Sequence, residues 1–256
     1  MRVGMMQAPE ELIPGSPEWD RLAARICAEK PDLLVTNEMP FGSWLAEDES
    51  YDSAAAAASV ETHERSLNIL GNLDVPIVVS SRPVLASGKL ANEAFVLEKG
   101  VYHPAHHKHY FPSEPGFFET AWFHPEQPGF DAVEASGIRI GVLLCTELFF
   151  NEWARHYRRQ GVQLIAVPRA SGTALERWRT AAAMAAIVSG AYVVSSNRVG
   201  RAAKGQVFGG RGFAYAPDGT LIAETSDEEP VVVFELNPEV SIQQQREYPC
   251  YVPELG

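Results

Sequence analysis

Cysteine is scarce in this chain. Only Cys27, Cys145 and Cys250 occur among 256 residues, far apart and with no CxxC spacing. That argues against a disulfide framework and against a zinc ribbon. Positive charge is also in short supply: 21 Lys and Arg face 33 Asp and Glu, a formal net charge of −12. Nucleic acid or an anionic membrane as partner is therefore not expected, since binding either depends on basic patches. No apolar run approaches the roughly 20 residues needed to span a bilayer. The opening "MRVGMMQAPE" enters a strand-like pattern directly, with no basic stretch leading into a signal-type apolar segment. A cytoplasmic location is the expectation. Low-complexity linkers are missing too, apart from "SAAAAAS" (53 to 59), which reads better as the start of a helix.

What remains is an alternation of β-branched runs and helical patterns. Strands are expected at Arg2–Gln7, Leu33–Asn37, Ile77–Ser81, Ala94–Glu98, Ile138–Cys145, Leu164–Val167, Tyr192–Ser196, Phe213–Tyr215 and Val231–Glu235. Helices are expected at Pro17–Lys30, about Val60–Asn72, Glu152–Gln160 and Leu175–Ser189, with hairpin turns at "EKG" (98 to 100) and "APDG" (216 to 219).

Three strands are echoed in order. "RVGMMQA" (2 to 8) matches "RIGVLLC" (139 to 145), "DLLVTNE" (32 to 38) matches "QLIAVPR" (163 to 169), and "VPIVVSSRPV" (75 to 84) matches "AYVVSSNRVG" (191 to 200). Such an echo implies two related α/β half-domains, each β-α-β-α-β with further strands appended. Ligands of open α/β sheets bind beyond the carboxyl ends of the strands. Cys145, Glu38 and Arg169 all fall at such ends, the last two at equivalent positions of the two halves.

Cys145 in "GVLLCTELFF" could be a buried hydrophobe like many free cysteines. Polar Thr146 and Glu147 directly after it suit instead a strand-to-helix turn that exposes sulfur near free N–H groups. Glu38, followed by apolar Met39, Pro40 and Phe41, suits a general base. Lys108 in "HPAHHKHYFP" would be costly to bury unless paired with a carboxylate such as Glu38. The neighbouring His103, His106, His107 and His109 suggest a metal, but no second group of ligands stands out elsewhere. Neither metal nor cofactor is expected.

Together these motifs resemble the nitrilase, or carbon–nitrogen hydrolase, superfamily. "NEMPF" resembles its glutamate motif, "KHYFPSEPGFFETAWF" its lysine motif with a second glutamate, and "GVLLCTELFF" its cysteine motif. The resemblance runs along nearly the whole chain and implies one domain over residues 1–256, folded as a four-layer α-β-β-α sandwich. It implies Cys145 as nucleophile, Glu38 as general base, Lys108 as oxyanion stabiliser and Glu119 as a second carboxylate that positions substrate and lysine. The N–H of Thr146 would share the oxyanion. A small amide or N-carbamoyl substrate comes first and a nitrile second. The sequence departs from the family in C-T-E after the strand, which matches no single branch, and in Gly212 where serine is common.

Arg169 in "AVPRASG" reads as a ligand-facing guanidinium that would pair with a substrate carboxylate. Trp44 and Phe111, with Phe41, Phe149 and Phe150, are candidate pocket walls. The resemblance also implies a homodimer, with the tail 239–256 draped over the neighbouring subunit. Two rival readings stay open. One is a catalytically silent binding protein. The other is a papain-like Cys-His hydrolase, for which His156 is the only local base.

Overall fold

The computed structural model describes residues 1–126 and 129–253. Its first half runs β1 (Arg2–Pro9), α1 (Pro17–Glu29), β2 (Leu33–Val35), α2 (Ser53–Gly71), β3 (Ile77–Ala86), β4 (Lys89–Glu98) and β5 (Val101–His107). A crossing segment follows, with β6 (Ser113–Glu114), β7 (Phe117–Phe118) and the short α3 (Glu119–Trp122). The second half runs β8 (Val133–Ala135), β9 (Ile138–Val142), α4 (Asn151–Arg159), β10 (Leu164–Arg169), α5 (Leu175–Ser189), β11 (Tyr192–Arg201), β12 (Val207–Gly209), β13 (Phe213–Tyr215) and β14 (Leu221–Glu224). Finally β15 (Val231–Glu235) and α6 (Pro238–Gln244) complete the chain.

All three echoed stretches land on equivalent strands. In one sheet β1, β2 and β3 are parallel neighbours; in the other β9, β10 and β11 are. Each trio is extended by antiparallel strands on both sides, β15 and β4–β5 in the first, β8 and β13–β14 in the second. The sheets meet where Gln7–Pro9 of β1 pair with Asn197–Val199 of β11. Ser196 joins them further, accepting from the Met6 N–H at 2.9 Å and donating to the Val35 carbonyl at 2.6 Å.

Strand alternation sends one set of residues between the sheets, among them Val3, Met5, Val35 and Val79 from one and Ile140, Val142, Leu164 and Val194 from the other. The opposite faces pack under helices: Met6, Leu34 and Val78 against α1 and α2, and Leu143, Ile165 and Val193 against α4 and α5. Helix, sheet, sheet, helix is the expected four-layer order.

Several boundaries differ from the sequence reading. Helix α2 begins at Ser53 because Asp52 accepts the N–H groups of Ala54 and Ala55, so the alanine run is its first turns. Strand β4 starts earlier because it pairs residue for residue with β3. Strand β9 stops at Val142, short of Cys145. The described part of the C-terminal tail packs on its own chain. Pro238 follows the capping Asn237 in α6, Ser241 donates to the Gly190 carbonyl at 2.7 Å, and buried Cys250 sits against α5. Residues 254–256 of that tail lie outside the described residues. No described helix is long and apolar enough to cross a membrane.

Candidate active site

Beyond Val142 the chain leaves the sheet for a local reason. The Leu143 N–H still reaches the β10 carbonyl of Ala166, at 2.9 Å, but the Leu144 N–H turns to the Glu147 carboxylate at 2.7 Å. Cys145 then takes a left-handed backbone, with φ 50°, and opens a single 3-10 turn through Phe149. That conformation is unfavourable for a residue with a Cβ and persists only where the surroundings enforce it. Here the enforcement is visible. Glu147 also accepts the His109 N–H at 2.8 Å and meets His106 Nε2 at 2.8 Å, all in the buried interior. One carboxylate therefore ties the cysteine turn to the segment carrying Lys108.

Lys108 follows directly on β5 and is fully buried. Its ammonium lies between two carboxylates, 2.8 Å from Glu38 Oε1 and 2.6 Å from Glu119 Oε2. Burial alone would pull the lysine pKa down; Glu119 and Glu38 outweigh it and hold the group firmly protonated. Glu38 comes from the rim beyond β2, and its Oε1 takes a second hydrogen bond from Asn92 Nδ2 on β4 at 2.8 Å. The remaining oxygens, Glu38 Oε2 and Glu119 Oε1, are buried and have no hydrogen-bond partner among the described residues. Burial, against the opposing pull of Lys108 and with a further push from Glu38, raises the Glu119 carboxyl to about 8.

Cys145 is buried as well, its Sγ 3.8 Å from the Ala170 carbonyl. Burial first, then the Glu38 charge, push its thiol well above the usual range, with Lys108 opposing. The sulfur is therefore held as a thiol, and a base must remove its proton as it reacts.

Cys145, Glu119 and Thr146 open on a cavity of about 620 Å³. Its walls include Phe117, Phe149 and Trp178, with Glu114, Arg177 and Gln206 as polar members. A second groove of similar size, about 610 Å³, lies beside α2 between Ile13, Leu45 and Ala55 and is lined by no cysteine.

Not every expected residue reaches the cavity. Trp44 is buried behind Phe117, edge-on to it at 6.2 Å between centroids, with its indole N–H on the Gly116 carbonyl. Phe111 stacks on Phe123, and Phe150 on Tyr110. Arg169, expected to face a ligand, is fully buried and absent from the cavity wall. The reason is its partners: Ser195, Ser171 and the Arg211 carbonyl take its N–H groups. Arg177, eight residues later, is the guanidinium on the wall. A cation in the first turn of α5, against the helix dipole, was the available sequence signal. Asn92 was also missed, a lone amide in β4 next to the charged Glu93.

The histidines disperse rather than converge. His106 faces Glu147, His107 lies 3.5 Å from Glu93, and His109 turns back to the His107 carbonyl. Among the described residues no three His, Cys, Asp or Glu are grouped to hold a metal ion. His156 sits on α4 between Arg159 and the Trp153 ring, away from the cavity wall, so the Cys-His alternative lacks its base.

Comparison with known proteins gives concordant results. The family model described as carbon–nitrogen hydrolase matches residues 2–246. An N-carbamoylputrescine amidase of Arabidopsis thaliana is 24% identical over 232 residues, covering 84% of this chain and 78% of the relative. An omega-amidase of Xenopus tropicalis is 26% identical over 210 residues, covering 76% of each. The crystal structure of a carbon–nitrogen hydrolase from Helicobacter pylori G27 superposes with a TM-score of 0.86 at 22% identity, covering 98% of this chain and 94% of that one.

Proposed function

Because the chain belongs to the carbon–nitrogen hydrolase family, we propose that it cleaves a non-peptide C–N bond of a small amide or N-carbamoyl compound through a thioester on Cys145. The observation that carries this reading is Lys108, buried between Glu38 and Glu119 and joined by Glu119 to the cavity that Cys145 also lines. Glu38 takes the thiol proton as Sγ adds to the carbonyl carbon. The electron pair displaced onto oxygen is stabilised by the Lys108 ammonium and by the N–H of Thr146, in the first turn where amides have no helical partner. Collapse of this adduct breaks the C–N bond, with Glu38 returning the proton to the departing ammonia or amine. Water, deprotonated by Glu38, then attacks the thioester, releasing the acid and restoring the thiol. Glu119 orients Lys108 and presents Oε1 to the substrate.

Relatives named as amidases favour amide over nitrile chemistry. Incubating the protein briefly with a panel of small amides, carbamoyl compounds and nitriles, then measuring intact mass, tests the mechanism. An acyl adduct with ammonia release is expected on the wild type and not on Cys145→Ala. An adduct that persists in Cys145→Ala refutes the assignment. An adduct from nitriles alone moves the function to nitrile hydrolysis.

The reading extends to a second copy of the chain as partner. Tyr248, Tyr251 and Val252 stand exposed at the end of a tail already fixed to α4 and α5, an apolar surface suited to self-association. Sedimentation should give the mass of a dimer; a monomer mass at micromolar concentration contradicts it.

A further inference from the structure

Arg169 ends β10 with its side chain wholly removed from solvent. Its Nε lies 3.2 Å from Ser195 Oγ, Nη1 3.0 Å from Ser171 Oγ, and Nη2 2.8 Å from the Arg211 carbonyl. The rings of Trp178 and Phe213 lie against it, with centroids 5.0 and 4.7 Å from Cζ. Every acceptor is neutral, and no carboxylate pairs with it among the described residues. A buried guanidinium without a counter-ion is costly, and its environment does not neutralise it: burial lowers its pKa only to about 9, so it is charged at neutral pH.

On the proposed mechanism an anion forms on the other side of the cavity wall. The next two residues, Ala170 and Ser171, line the cavity, as does the stacked Trp178. The Ala170 carbonyl is the group that Cys145 Sγ contacts, and the Arg169 carbonyl accepts the Glu38 N–H at 3.3 Å. Two groups would act on Arg169 through negative charge: Cys145 once its thiol is ionised, and Glu224, which is already paired with Arg179. Around the sulfur the other titratable groups are Glu38, Lys108 and Glu119. Lys108 is held by both carboxylates, and Arg177 on the cavity wall is exposed, which leaves Arg169 as the buried cation beside the site that no carboxylate among the described residues matches.

We propose that Arg169 is a positioning residue acting through charge: from behind the cavity wall it stabilises the negative charge that moves from Glu38 to the Cys145 sulfur and on to the substrate oxygen. The inference deepens the proposed thiol mechanism and rests on it, but its test does not require a substrate. The rate at which iodoacetamide alkylates Cys145 at neutral pH, read by peptide mass against Cys27 in the same sample, follows the accessible thiolate. Arg169→Gln should slow Cys145 alkylation about tenfold, the effect of one pK unit, and leave Cys27 unchanged. Arg169→Lys, which keeps a cation, should stay within about threefold of wild type. Where a substrate is turned over, Arg169→Gln should lower kcat and spare KM, because the residue does not touch the cavity.

Folded Arg169→Gln alkylating at the wild-type rate overturns the proposal, as does a loss confined to KM. If Arg169→Gln does not fold, Arg169→Lys decides: retention within about threefold supports the role of charge, and a tenfold loss shows that shape alone mattered. Normal alkylation behaviour with no turnover of any amide would instead count against the hydrolase reading.

Discussion

At Glu119 a carboxyl is buried beside both a lysine and another carboxylate, and burial raises it from 4.5 to about 8. An acid whose folded pKa exceeds its unfolded one binds more protons when folded. Stability from this group is therefore present at low pH and is lost as pH rises from about 4.5 to about 8. Thermal midpoints measured from pH 5 to pH 8 should fall more steeply for the wild type than for Glu119→Gln, which cannot ionise. On the proposed mechanism the same ionisation adds negative charge next to the oxyanion, so turnover should decline as pH rises through about 8. Glu119→Gln should be slower throughout and lack that decline; identical slopes for the two proteins would show that Glu119 does not titrate there. Glu38, Lys108 and Cys145 were legible in the sequence because their residue types and order are distinctive. Asn92, which holds Glu38, was not, since an amide in a strand announces no direction.

Between elements the decisive contact is Glu147, which binds the Leu144 N–H ahead of Cys145 and the His109 N–H after Lys108. The sequence reading carried the strand on to Cys145; the structure ends it at Val142, because a carboxylate three residues on competes successfully with the sheet for a backbone N–H. Glu147→Gln replaces one acceptor oxygen with a donor NH₂ facing an N–H. Charged hydrogen bonds of this kind contribute about 1.5–3 kcal/mol. Stability by chemical denaturation should drop by an amount of that order, with turnover falling further as Lys108 and Cys145 lose their register. A variant as stable and as active as wild type would dismiss the clamp. Helices α1, α4 and α5 were legible as helical patterns, although of the three only α1 starts on a side-chain cap, Ser16. The tail was not, since α6 is held by contacts to Gly190 and Val162 rather than by an apolar face of its own.

Across the whole molecule the two halves cannot part easily. Strand β1 pairs within its own sheet to β2 and β15 and, over Gln7–Pro9, to β11 of the other. The core between the sheets is contributed by both. Unfolding by heat should therefore be one cooperative transition, with tryptophan fluorescence and far-ultraviolet circular dichroism coincident. Separate transitions would mean that the halves fold independently.

The order of elements, the duplication and the candidate nucleophile, base and lysine were determined by sequence alone, because hydrophobic period, turn residues and reactive side chains are local properties. Which side of a wall a side chain occupies is not local. Arg169 and Arg177 are both arginines near a strand-to-helix passage, yet one is buried against Ser195, Ser171 and Arg211 while the other lines the cavity. Only the packing of β10 against β11 and α5, which brings those distant partners together, could decide between them.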